Sequence, residues 1–364
     1  MWKTQEGSTG RLIELCGGYF IFYIITGLSV KYFLSSAPGY PGLNGIEYLV
    51  YSTASSTLLA TSVALLLRWY RMQSIRLVSL GKMRIPYEIF YIIPSGICTA
   101  IIIPATTLLY SFRGISVMVA MVIMRGAVII IGRAVDAIQI RQGILRKKVY
   151  KEENIAVVFA VLAVSTKVLS GNSGGQNPFT SLPVMIIFGS YIVAYALRIY
   201  IMNFYKNTRP KNVKTNNNKA FFAIEQFTST ITIWLVAAVL FWIIRARGIE
   251  GNIATPFANA ILHPVEGYWY KAMFWGLAFG VVAFFSVFLF MFRGRTATFA
   301  GLVNRLTSLI AGTTSTLIFA IFFSGKFPKM IDWISLLFIL IAIGFMSIAE
   351  RKRVKELKTE KTQN

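Results

Sequence analysis

Ten apolar runs, each about twenty residues long, dominate this chain and leave it few ways to fold. They fall near 11–34, 46–68, 88–111, 114–140, 153–170, 183–205, 220–244, 271–292, 297–324 and 330–349. Each is bounded by a charge cluster or by a loop rich in Gly, Pro or Asn. Backbone inside lipid must satisfy its own N–H and C=O groups, so runs of this length become helices. The expected fold class is therefore an all-α membrane protein with ten transmembrane helices. Composition agrees. Only 14% of the 364 residues are charged, where a soluble protein carries about a quarter.

The net charge of +23 would point to nucleic acid in a soluble protein. Here the basic residues sit in short loops between apolar runs, which is the pattern of cytoplasmic loops, and nucleic acid is not expected as a partner. With both termini on one side, Lys and Arg divide 25 to six between the two sides; six more lie within spans, 37 in all. That bias fits ten spans with both ends cytoplasmic. No Asn-x-Ser/Thr site falls in an outside loop, which favours a bacterial inner membrane over a Golgi or ER membrane. The basic residues after 350 form an expected cytoplasmic tail, 351–364.

One segment is written twice. Phe112-Arg113-Gly114, Arg125 and Gly132 recur 180 positions later as Phe292-Arg293-Gly294, Arg305 and Gly312. From 112 to 138 the ungapped comparison has eight identities in 27 positions. The first copy runs from outside to inside and the second from inside to outside. The halves are thus expected to be inverted five-helix repeats, 1–175 and 176–350. Arg113 and Arg293 fall at opposite membrane faces and read as anchors. Arg125 and Arg305 fall within their spans.

The arrangement of five plus five inverted spans resembles the drug/metabolite transporter superfamily, which includes EamA-type permeases, nucleotide-sugar transporters and triose-phosphate translocators. The likeness is carried by Met124-Arg125-Gly126-Ala127-Val128-Ile129-Ile130, which is similar to a stretch of that family's fourth helix. Asn304-Arg305-Leu306-Thr307-Ser308 is similar to part of the ninth. The chain departs from the family at Gln142-Gly143, where a Gly-Glu pair is usual. The resemblance implies a secondary transporter, with basic residues of the fourth and ninth helices holding phosphate in its nucleotide-sugar and triose-phosphate branches.

The residues themselves point the same way. A charge at membrane depth costs about 2.5–3.5 kcal/mol on insertion scales, so Arg125 and Arg305 need a reason to be there. Guanidinium groups bind phosphate and carboxylate through two parallel bonds, which favours a small organic anion as substrate, the phosphorylated class included. Asn304, Ser308 and Asp136 share their helical faces and are expected to shape selectivity. Structural pairing of each arginine with carbonyls or an acid, and gating, stay open as alternatives. Arg198 and Glu225 lie at similar depth and read as an ion pair or an inner gate; Arg133 is expected to pair with Asp136 three residues on. The hydroxyl-rich second span, from Ser52 to Ser62, fits a packing face or a cavity wall equally. Glu14 is a candidate for proton coupling.

Other activities lack their residues. There is no Walker A motif and no Ser/His/Asp arrangement, and the two cysteines and one histidine form no metal pattern, so no enzyme, cofactor or metal is expected. Export of amino acids or neutral metabolites, flipping of a lipid-linked headgroup, and a scaffold without transport are the alternative functions. The expected partners are a small-molecule substrate and the bilayer, with the chain a monomer or homodimer.

Overall fold

The computed structural model describes residues 8–362 apart from 73, 75, 81–82, 112–116, 146–148, 172–181, 209–216, 293, 324, 326 and 329. The Phe-Arg-Gly anchors at 112–114 and Arg293 therefore lie outside the described residues. The apolar runs form α1 (Thr9–Leu34), α2 (Gly45–Leu66), α3 (Ile89–Ser111), α4 (Val117–Arg141), α5 (Lys151–Gly171), α6 (Leu182–Thr208) and α7 (Asn217–Arg247). A short helix, α8 (Ala254–Leu262), precedes α9 (Trp269–Phe290), α10 (Ala297–Phe322) and α11 (Met330–Thr362). Among the described residues, eight of these helices are long and apolar enough to cross a membrane: α1, α2, α3, α6, α7, α9, α10 and α11. Helices α4 and α5 occupy the fourth and fifth expected spans.

Three local features go beyond the expected pattern. Between α2 and α3 the chain forms a small antiparallel hairpin, β1 (Leu77–Leu80) with β2 (Met83–Pro86), in which Val78 faces Ile85 across the ladder. Helix α8 forms in the loop between α7 and α9 and packs on α2 and α7. The basic tail is not a separate segment. It continues α11 through Thr362, because Ala, Glu, Lys and Arg after Gly344 are strong helix formers and no proline interrupts them. At 33 residues α11 is about 50 Å long, well beyond the roughly 30 Å hydrocarbon core.

The Thr9 hydroxyl donates to Glu350 Oε1 at 3.2 Å, so the start of α1 and the late part of α11 lie at one face. Packing between helices follows a paired pattern. Helix α1 packs on α9 and α10, and α6 packs on α3 and α4. Helix α2 packs on α9, and α7 packs on α3. Helices α4 and α5 are neighbours, as are α10 and α11. The pairs α4–α10, α5–α11 and α2–α7 also touch.

Small residues set the closest crossings. A Cβ on Gly276 would stand 2.6 Å from Ser52 Cα, and one on Gly280 would stand 2.7 Å from the Ser56 carbonyl oxygen. Helix α9 therefore rides directly on the hydroxyl-rich face of α2. Ser52, Ser55, Ser56 and Thr57 return their hydroxyls to carbonyls of their own helix, and Thr61 bonds Thr230 of α7 at 2.9 Å. The second span's polar residues thus form a packing face.

Candidate functional site

Arg125 and Arg305 are both buried in the interior of the bundle. Each lies on a tyrosine. The Arg125 guanidinium on α4 sits 5.3 Å from the ring centre of Tyr23 on α1, and that of Arg305 on α10 sits 5.0 Å from Tyr195 on α6. A ring face attracts a cation most strongly where water is excluded. Tyr19 and Tyr191, one turn before these residues, complete two ring pairs with centres 5.4 and 4.8 Å apart.

The two arginines are satisfied differently. Arg125 Nη1 donates to the Ser308 carbonyl at 3.3 Å, and Nη2 donates to the Tyr23 hydroxyl at 2.7 Å. Arg305 Nε is buried and has no hydrogen-bond acceptor among the described residues. None of the ion pairs among those residues includes Arg305. Asn304 lines the same region. Its Oδ1 accepts from the Tyr19 hydroxyl at 3.4 Å, and its Nδ2 donates to Ser286 Oγ at 3.0 Å. The Ser308 hydroxyl turns back to the Arg305 carbonyl at 2.8 Å, so Ser308 meets Arg125 through its backbone.

The four tyrosines are the part that the reading of the arginines missed. They carry a signal of their own: Gly17-x-Tyr19-x3-Tyr23 in α1 recurs as Gly189-x-Tyr191-x3-Tyr195 in α6, 172 positions later. The motif stands at matching places in the first and sixth long helices.

Arg198 and Glu225 form a buried two-pronged ion pair beside this cluster, with Nε to Oε1 at 2.9 Å and Nη2 to Oε2 at 3.0 Å. Ser95 and Thr99 of α3 also donate to Glu225 Oε1, at 2.6 and 3.3 Å. These bonds satisfy the pair within the protein and tie α6, α7 and α3 together.

Asp136 does not belong to the arginine cluster. It is eleven residues from Arg125, three turns or about 16 Å along α4. Its fully buried carboxylate accepts the N–H groups of Ala297 at 2.7 Å and Thr298 at 2.6 Å, capping the first turn of α10. A helix start offers unpaired donors and positive potential, which is what a buried carboxylate needs. The expected Arg133–Asp136 pair is replaced for the same reason. Arg133 Nε donates instead to Asn154 Oδ1 at 2.8 Å. Glu14 pairs with Arg11 at 3.5 Å near the start of α1.

Around this cap lies a second polar layer, at the face shared by the start of α1 and the late part of α11. Arg295, almost fully buried, grips Glu350 with two donors, Nε to Oε2 at 2.7 Å and a second from Nη2 to Oε1. Arg353 reaches Glu153 at 3.5 Å and Glu356 at 2.7 Å, and Thr296 Oγ1 donates to Glu153 at 2.8 Å. Lys352 pairs with Glu152. Tyr150 donates to Glu356 at 2.6 Å; burial first, and then that carboxylate, push its hydroxyl up to about 12, so it keeps its proton near neutrality. The layer joins α1, α4, α5, α10 and α11.

No protein-family model matches the chain, and no curated protein matches it in sequence.

Proposed function

We propose that the chain is a secondary transporter of a small organic anion, built from ten spans in two inverted five-helix repeats and working by alternating access. The observation that carries this reading is Arg305. It is a buried cation on a tyrosine face, with an unmet Nε donor and no carboxylate partner among the described residues. A charge held at this cost calls for a partner, and an anion that comes and goes supplies one. The carboxylate or phosphate of a metabolite matches a guanidinium edge, and the phosphorylated class, nucleotide-sugar or sugar phosphate, is the foremost candidate.

The repeat reading draws support from three observations. The largest helix contacts occur in matched pairs when the first five long helices are exchanged for the second five. The arginines recur at an offset of 180 and the tyrosines at 172. The start of α1 and the late part of α11 share a face, as an even number of crossings would give. That face carries the excess of Lys and Arg and would be cytoplasmic, in a bacterial inner membrane. The likeness to the drug/metabolite transporter superfamily belongs to the same proposal.

The test is a thermal-shift screen of the purified full-length protein against nucleotide-sugars, sugar phosphates and amino acids, repeated on Arg305→Lys and Arg305→Gln. An anion should raise the melting temperature of the native protein, the shift should shrink in the lysine variant, and it should shrink further in the glutamine variant. Lack of stabilisation by every anion, or a full shift in Arg305→Gln, would overturn the proposal.

A further inference from the structure

We propose that Arg125 and Arg305 exchange roles across the transport cycle. In the conformer seen here Arg305 receives the anion while Arg125 is held by α10. In the opposite conformer Arg125 receives it while Arg305 is held by α4. The inference rests on the transporter reading and adds which arginine binds, and when.

Equivalent positions in the two copies are used unequally. At the 180-residue offset Arg125 matches Arg305, Val128 matches Ser308 and Gly132 matches Gly312. Each arginine keeps a tyrosine of its own half. What separates them is a carbonyl on the facing helix. Arg125 has the carbonyl of Ser308, whereas Arg305 Nε has no acceptor among the described residues. The carbonyl that would do the same for Arg305 is that of its counterpart's neighbour, Val128.

That carbonyl already faces α10, one turn away. The Val128 oxygen lies 4.0 Å from where a Cβ on Gly301 would stand, and Gly301 is four residues before Arg305. A rocking of α10 on α4 that lets the Arg305 side chain lean back over Gly301 to Val128 would carry Ser308 away from Arg125. Among the described residues the two ends of the crossing differ. At the Asp136 end, a Cβ on Gly132 would meet the backbone of Ala297 at 3.1 Å. Toward the other end, among those residues, the matching point on Gly312 meets the Arg125 Nη1 at 3.7 Å, a side chain and not backbone. The two helices are thus drawn together where Asp136 caps α10, and Thr296 on Glu153 fastens the same end. Releasing that end and closing the other is the motion that swaps the arginines.

The test locks one conformer. In a Cys16→Ser, Cys98→Ser background, Glu153→Cys and Thr296→Cys are joined by a short thiol cross-linker, which holds the Asp136 end closed. The probe is inorganic phosphate, read by thermal shift of the full-length protein. In the locked protein Arg305→Gln should weaken phosphate binding by about tenfold or more, while Arg125→Gln changes it by less than about threefold. Without the cross-linker both variants should weaken it. Arg125→Lys and Arg305→Lys serve as folding controls that keep the charge. If Arg125→Gln is as damaging as Arg305→Gln in the locked protein, the arginines act together as a clamp and the exchange is refuted, with the anion reading intact. If binding survives Arg305→Gln in the locked protein, or phosphate never binds the native protein, the anion site fails and the exchange falls with it.

Discussion

Replacing Asp136 by asparagine separates a helix cap from a substrate contact. In the native protein both carboxylate oxygens accept backbone N–H groups of α10, at 2.7 and 2.6 Å, in a fully buried setting. Asparagine has nearly the same shape but only one acceptor. Its amide nitrogen would face an N–H donor, leaving that donor unmet. Hydrogen bonds to a charged group contribute about 1.5–3 kcal/mol each, and an unsatisfied buried donor costs about 1–3 kcal/mol. Loss of the buried charge returns part of this, because its desolvation is relieved. A net loss of about 2–4 kcal/mol follows. At about 2.1 cal/mol/K per residue the unfolding entropy of this chain is about 0.8 kcal/mol/K, so the melting temperature should fall by about 3–5 °C.

The assay is a melting curve of the detergent-purified Asp136→Asn protein, with and without the anion that stabilises the native chain. The cap predicts a lower melting temperature with the anion-induced shift preserved. If the variant melts at or above the native temperature, the capping energetics are wrong. If the variant is stable and the anion shift is lost, Asp136 belongs to the site after all.

Arg198→Ala should lower stability by about 3–5 kcal/mol, since it strands Glu225 in the interior, whereas the double change Arg198→Met, Glu225→Met should recover most of the loss. Equal melting of single and double variants would show that the pair is not coupled. Gly276→Val should abolish a monodisperse elution peak, because its Cβ would lie 2.6 Å from Ser52 Cα; Gly17→Ala, with nothing within 4 Å, should leave melting within about 0.5 kcal/mol of native. Arg353→Ala should destabilise by about 3–5 kcal/mol by removing the cation beside buried Glu153. Deletion of 351–364 should cost at least as much, and a truncated chain that melts like the native one would refute a structural role for the end of α11.

What the sequence made legible follows from what lipid forbids. Helix class and approximate helix positions came from hydropathy, since an uninterrupted apolar run of about twenty residues satisfies its own backbone in hydrocarbon as a helix. The placement of Lys and Arg predicts both ends on one side; the structure brings the start of α1 to the late part of α11, Thr9 on Glu350. The hairpin at 77–86 and the helical end of α11 were not readable in that way. Both lie outside the apolar runs, where hydropathy is silent and local propensity and tertiary contacts decide. The basic residues after 350 read as a cytoplasmic tail because their charges were counted by sign. In the structure Arg353 is nearly fully buried and Glu350, Glu153 and Glu356 are its layer, so the pairing of charges matters more than their sum.

At the site, sequence spacing fixed direction around a helix but not depth along it. Arg125 and Asp136 share a face of α4, yet three turns put one on Tyr23 and the other at the start of α10. The tyrosines escaped for a different reason. An aromatic residue in an apolar run needs no explanation by itself, and the comparison at a fixed offset of 180 steps past a motif that repeats at 172. The departures from repetition are as informative as the matches. Asp136 has Thr316 as its counterpart, and Thr316 spends its hydroxyl on the Gly312 carbonyl of its own helix, 2.8 Å away. No carboxylate stands at that position to cap α4 as Asp136 caps α10. Asn304 has Met124 as its counterpart, so only the Arg305 side offers an amide beside its guanidinium. Two halves with the same arginine and the same tyrosines therefore differ in what fastens them and in what surrounds the charge. On the transporter reading, those differences make the two ends of the cycle unequal in energy, although the anion meets a guanidinium on a tyrosine at each end.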